Sequence, residues 1–92
     1  MINEVKTYEQ KMIKKYKTTS NSLTIESDPE LRDFRFVDEL PITELIIYEC
    51  KNVSFNRTPL KITSLYIHSS ELKNISGIEK MKQLSYLSLY NN

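Results

Sequence analysis

A nine-residue frame returns four times along this 92-residue chain and restricts its fold more than any other feature. The frame places aliphatic residues at its first, fourth and sixth positions and a small polar residue at its ninth. Its clearest copy is Leu84-Ser-Tyr-Leu87-Ser-Leu89-Tyr-Asn-Asn92. Upstream are Ile62-x-x-Leu65-x-Ile67-x-x-Ser70, Ile42-x-x-Leu45-x-Ile47-x-x-Cys50 and a degenerate copy, Ser20-x-x-Leu23-x-Ile25-x-x-Asp28. Successive copies begin 22, 20 and 22 residues apart. One match to so loose a pattern would mean little, but four in near-constant register mark an internal repeat.

The central pairs (Leu23 and Ile25, Leu45 and Ile47, Leu65 and Ile67, Leu87 and Leu89) alternate at period two, so strand geometry sends both members of each pair to one face. A single unit's apolar face is too small to stand by itself, which predicts neighbouring units stacked as parallel strands. Burial of each such side chain contributes about 1.5–3 kcal/mol. The units are expected at 20–41, 42–61, 62–83 and, incomplete, 84–92, with an amino-terminal segment over 1–19. Between strands the chain must return. In the third unit Leu72, Ile75, Ile78 and Met81 recur at three-residue steps, which suits a short helical or 3₁₀ return, and Gly77 lies where it must bend. Pro59 and two fewer residues predict a more extended return in the second unit, filled by Val53, Phe55 and Leu60. Leu31, Phe34, Phe36, Val37 and Leu40 fill the first.

Residues 3–17 are predicted as a helix. Ile2, Val5, Tyr8, Met12 and Tyr16 recur at three- and four-residue steps, Ile13 widens the stripe, and the start falls at Asn3 or at the Thr7-x-x-Gln10 capping box. Its basic last turns would suit a membrane surface or a partner, but the narrow stripe and the diluting Glu4 and Glu9 favour an end cap over the first unit's open core.

Composition excludes several classes. Thirteen Lys and Arg stand against 12 Asp and Glu, so no basic face calls for nucleic acid. A lone cysteine, Cys50, permits no intrachain disulfide framework. No apolar run approaches the roughly 18 residues of a membrane span, and the charged first residues lack a signal peptide's apolar core. A cytoplasmic protein is expected. Asn52, Asn56 and Asn74 head glycosylation triplets, which would then stay unmodified.

The repeats resemble the 22-residue subclass of leucine-rich repeat proteins, typified by phosphatase regulatory subunits and bacterial internalins. Ile62 to Gln83 carries the resemblance, above all Leu72-Lys-Asn-Ile75-Ser-Gly-Ile78-Glu-Lys-Met81-Lys-Gln-Leu84. The opening Tyr8-Glu-Gln-Lys-Met-Ile-Lys-Lys-Tyr16, followed by weak and then clean repeats, looks like the amino-terminal part of large repeat proteins of protists. The resemblance implies an α/β fold, a short right-handed solenoid with parallel strands on its concave side and an N-terminal capping helix. It also implies a role for the ninth position. That position is usually asparagine in the family, its amide satisfying backbone groups of the turn that leaves the strand. Here the column reads Asp28, Cys50, Ser70 and Asn92, which makes Cys50 a buried structural residue rather than a reactive thiol.

Outward strand positions follow from the alternation. They are Ser22, Thr24 and Glu26 in the first unit, then Glu44, Ile46 and Tyr48, then Ser64, Tyr66 and His68, then Tyr86, Ser88 and Tyr90. Four of the six tyrosines thus share one face, as anchors of an interface do. The protein-binding residues are expected to be Glu44, Ile46, Tyr48, Ser64, Tyr66, His68, Tyr86, Ser88 and Tyr90. One His and one Cys without clustered carboxylates make no metal site, and no nucleophile–base–orienter set is spaced for catalysis.

The expected function is therefore a non-catalytic protein-interaction module without cofactor. Regulation of an enzyme such as a phosphatase, or a surface or adhesion role, are the alternatives. The last frame ends without a return segment, so a piece of a longer array is expected, with self-association open to the uncapped fourth unit.

Overall fold

The computed structural model describes residues 2–72 and 74–92, and the side chain of Ile2, expected in the helical stripe, lies outside the described residues. One α-helix, α1 (Ile2–Lys15), precedes four strands, β1 (Ser22–Glu26), β2 (Glu44–Tyr48), β3 (Ser64–His68) and β4 (Tyr86–Ser88). The strands form one all-parallel sheet in chain order. Its register aligns the repeated frame unit on unit: Leu23 pairs with Leu45, Leu45 with Leu65 and Leu65 with Leu87, while Ile25, Ile47 and Ile67 form a second row.

The core lies between this sheet and the returns. Ile25, Leu45, Ile47, Leu65 and Ile67 are wholly buried against Leu31, Phe34, Phe36 and Val37. In the first return Arg35–Glu39 forms a 3₁₀ turn. In the third, the 3₁₀ turn is confined to Ile78–Lys80, so Met81 is buried while Ile75 stays exposed. Gly77 bends the chain as expected, at φ +105°, and a Cβ there would sit 2.3 Å from the Phe55 carbonyl oxygen. The second return has no regular element. Leu60 does not fill it, being 48 % exposed. Its backbone N–H, with that of Lys61, is instead held by the Asp38 carboxylate, and buried Thr58 and Pro59 line the inside.

Two backbone ladders repeat from unit to unit. Where strands begin, one carbonyl accepts two N–H groups from the next unit: Asn21 from Thr43 and Glu44, Thr43 from Thr63 and Ser64, Thr63 from Ser85 and Tyr86. Where strands end, the N–H of Ser27, Glu49 and Ser69 reaches the carbonyl of Tyr48, His68 and Tyr90, at 2.9 to 3.1 Å. These three residues and Asn91 all have φ between 52° and 57°, so each unit leaves its strand through a left-handed residue.

A third ladder runs through the ninth positions. The Asp28 N–H donates to Cys50 Sγ (3.5 Å), the Cys50 N–H to Ser70 Oγ (3.1 Å) and the Ser70 N–H to Asn92 Oδ1 (2.9 Å). Each side chain also donates backward. The Cys50 thiol faces the Tyr48 carbonyl, the Ser70 hydroxyl the His68 carbonyl, and the Asn92 amide the Ile67 and Tyr90 carbonyls. The column therefore bonds adjacent units as well as its own turn.

Helix α1 meets the first unit at the start of that column. Asp28 has only carboxylate oxygens to offer, and the end of α1 with the turn after it supplies donors: the Tyr16 hydroxyl and, at 2.9 Å, Lys15 Nζ. Desolvation works against the ionised carboxyl, but bonds from Tyr16, Lys15 and the Glu30 N–H outweigh it and hold Asp28 below the usual carboxylate range. The Tyr8 hydroxyl donates to the Asp33 carbonyl and accepts the Arg32 and Asp33 N–H groups, while Tyr8 and Tyr16 both pack on Phe36. The helix ends two residues before the expected boundary, where the Tyr16 N–H makes a last bond to Met12. Thr7 lies inside it and caps nothing. Val5, placed in the stripe by spacing, is 40 % exposed, since Tyr8 and Met12 make the buried contact one and two turns later.

The radius of gyration is 12.1 Å, close to the ~12 Å of a compact domain of this length. Among the described residues no helix is long and apolar enough to cross a membrane.

Candidate functional site

The sheet face opposite the core carries three rows of side chains set by the strand register. They read Ser22–Glu44–Ser64–Tyr86, Thr24–Ile46–Tyr66–Ser88 and Glu26–Tyr48–His68, with Tyr90 extending the third. All nine residues expected on a binding face thus come from β2, β3, β4 and the turn after it. Tyr90 is the exception to the strand assignment. Strand β4 stops at Ser88, and Tyr90 belongs to the following turn, although its carbonyl still accepts the Ser69 N–H.

Five rings form one continuous cluster. His68 is its hub, edge-on to Tyr48 at 5.5 Å, Tyr66 at 6.1 Å and Tyr90 at 5.7 Å. Tyr66 then leans on Tyr86, with centroids 5.0 Å apart. His68 Nε2 and Ser88 Oγ share a hydrogen bond of 2.9 Å, which fixes the imidazole in the plane that lets three rings meet it. Pairs of this kind contribute about 0.5–1.5 kcal/mol each beyond their buried area. The rings are therefore ordered before any partner arrives. Tyr66 and His68 are half-buried by their neighbours, whereas Tyr48, Tyr86 and Tyr90 are exposed, Tyr90 by 64 %.

The face is polarised across the sheet. Aromatics gather on β2, β3, β4 and the turn beyond it, and carboxylates on the first two strands. Glu26 is exposed and registers with Tyr48; Glu44 is half-buried and accepts the Ser22 hydroxyl at 2.7 Å. Loss of water, then the nearby Glu44 and Tyr86, push the Tyr66 phenol above its usual range. Among the described residues no lysine or arginine occupies an outward position of the four strands.

A recess lies elsewhere on the molecule. It is an open groove of about 1030 Å³ between α1 and the first two returns, lined by Tyr8, Lys11, Glu30, Arg32 and Asn52 among others. Two of its cations are already engaged: Lys11 pairs with Glu30, and Arg32 lies over the Tyr8 ring at 4.4 Å. Asn52, which heads a glycosylation triplet, donates to the Pro29 carbonyl. Cys50 is buried in the ninth-position ladder, and burial pushes its thiol up. Sequence reasoning placed His68 among the tyrosines on this face but not as the ring that meets three of them; register gives the signal, since His68 lies between Tyr48 and Tyr90 in one row.

Comparison with family models, curated proteins and solved structures finds no match in any of the three.

Proposed function

We propose that this chain is a short leucine-rich repeat solenoid that binds a protein partner, without catalysis, through the outward face of its sheet. In this reading the sheet is the concave side of a right-handed coil, and α1 is the cap of its first unit. The observation that carries the function is the five-ring cluster around His68. Rigid aromatics on an exposed sheet offer contact area at small entropic cost, and their hydroxyls can bond a partner's backbone. The unit-on-unit register and the ninth-position ladder support the architecture. The test is capture of partners from lysate by the full chain, with mass spectrometry, beside Tyr66→Ala and Tyr90→Ala variants. A specific partner should be captured, and each change should weaken its binding by more than about 1 kcal/mol. A partner that survives both changes, but is lost on substitution of Arg32 or Asn52 in the α1 groove, would overturn the assignment to this face.

A further inference from the structure

Resting on the assignment of the outward face, we infer that this face takes an extended basic segment, with arginine or lysine side chains seated between its carboxylates and its tyrosine rings. The argument begins with charge. The chain as a whole is nearly neutral, yet the described outward positions hold Glu26 and Glu44 and no cation. Each glutamate stands beside a ring. Glu26 is in direct register with Tyr48, and Glu44 is the diagonal neighbour of Tyr66, which lies two residues on from its register partner Ser64.

A carboxylate beside an aromatic ring is complementary to a guanidinium, which stacks on the ring face while its N–H groups reach the oxygens. An ammonium satisfies the same pair less specifically. An acidic segment would meet two uncompensated carboxylates. A neutral proline-rich segment could use the rings but would leave the charges of the glutamates uncompensated.

The register also sets a spacing. Glu26 lies opposite Tyr48, and Glu44 is at the other end of the same five-residue strand. Four residue steps of strand make about 13 Å. Two basic side chains about four residues apart in an extended segment, lying along the strands, reach both pairs.

The experiment titrates the full chain with three synthetic ten-residue peptides in a Ser-Gly background and follows backbone amide shifts. One carries two arginines four residues apart, one carries glutamates in their place, and one is uncharged and proline-rich. The arginine peptide should shift the signals of Glu26, Glu44, Tyr48 and Tyr66 and bind at least fivefold more tightly than the others. Its affinity should fall several-fold in high salt, in the double variant Glu26→Gln and Glu44→Gln, and in Tyr48→Leu. Absence of shifts at millimolar arginine peptide, shifts away from this face, or equal binding of the glutamate or proline peptide would overturn the inference. The two readings fail separately. A captured partner that depends on Tyr66 and Tyr90, but not on salt or the glutamates, removes the basic chemistry and leaves the face. A partner indifferent to the tyrosines removes the face itself.

Discussion

The Ser70 hydroxyl accepts the Cys50 N–H at 3.1 Å and donates to the His68 carbonyl at 3.1 Å, so a single side chain bonds its own strand's end to the unit before it. Ser70 is buried, so losing its hydroxyl leaves the Cys50 N–H without its partner in the interior. Ser70→Ala should therefore cost about 1–3 kcal/mol, the penalty of an unpaired buried group. At the neighbouring rung, Cys50→Asn should be neutral or stabilising, because an amide both accepts and donates better than a thiol. Cys50→Leu should destabilise, since it can do neither. Urea unfolding of the three variants provides the measurement, and a stable Cys50→Leu would contradict the ladder's contribution.

The start of the column should make stability depend on acid. Asp28 has its folded pKa depressed, so its contribution is present above the unfolded carboxylate range, near ~3.9, and is lost as pH falls through the lower folded value. Asp33 acts with opposite sign. Burial raises its pKa, so its protonation favours the fold on the same descent. The clean measurement is therefore a difference: Asp28→Asn should flatten the acid limb of the stability curve relative to the parent. At the alkaline end Tyr16 and Cys50 are both raised, chiefly by burial. Their contributions are complete below the unfolded thiol and phenol values, about 8.5 and 10, and are lost as pH rises through the folded ones. Tyr16→Phe should remove part of that alkaline loss.

Gly77→Ala should be among the most damaging single changes outside the core. The left-handed backbone costs any other residue about 1–3 kcal/mol. The added Cβ, 2.3 Å from the Phe55 carbonyl oxygen, also forces the second and third returns apart. Thermal unfolding of the variant reads the sum, and an unchanged melting temperature would mean that the two returns do not approach so closely.

Much of this was legible in the chain. Leu45 and Ile47 or Leu65 and Ile67 announce strands because alternation at period two has one structural solution when a face must be buried. The outward positions followed from the same alternation, which is why the tyrosines could be grouped. What escaped depends on distance in sequence. The bond between Tyr16 and Asp28 and the stacking of Tyr16 on Phe36 are tertiary, and helical periodicity says nothing about which turn makes contact. Val5 and Leu60 fit their apolar patterns but are displaced from the interior by Tyr8 with Met12 and by Pro59. The ninth column was visible as a row of small polar residues, but its direction, from each N–H to the following side chain, was not.

That direction has a kinetic consequence. The Ser69 and Ser70 amides rely on acceptors in the turn after β4, the Tyr90 carbonyl and the Asn92 side chain. Those acceptors follow β4, whose Leu87 is 41 % exposed, at the side of the sheet with no further strand among the described residues. When a chain is held by nearest-neighbour bonds, opening begins at the least covered unit and spreads inward. In deuterium oxide the Ser69 and Ser70 amides should exchange first, those of Glu49 and Cys50 later, and those of Ser27 and Asp28 last. The third unit would thus lose protection without moving, because its protons are guarded by groups that belong to the fourth.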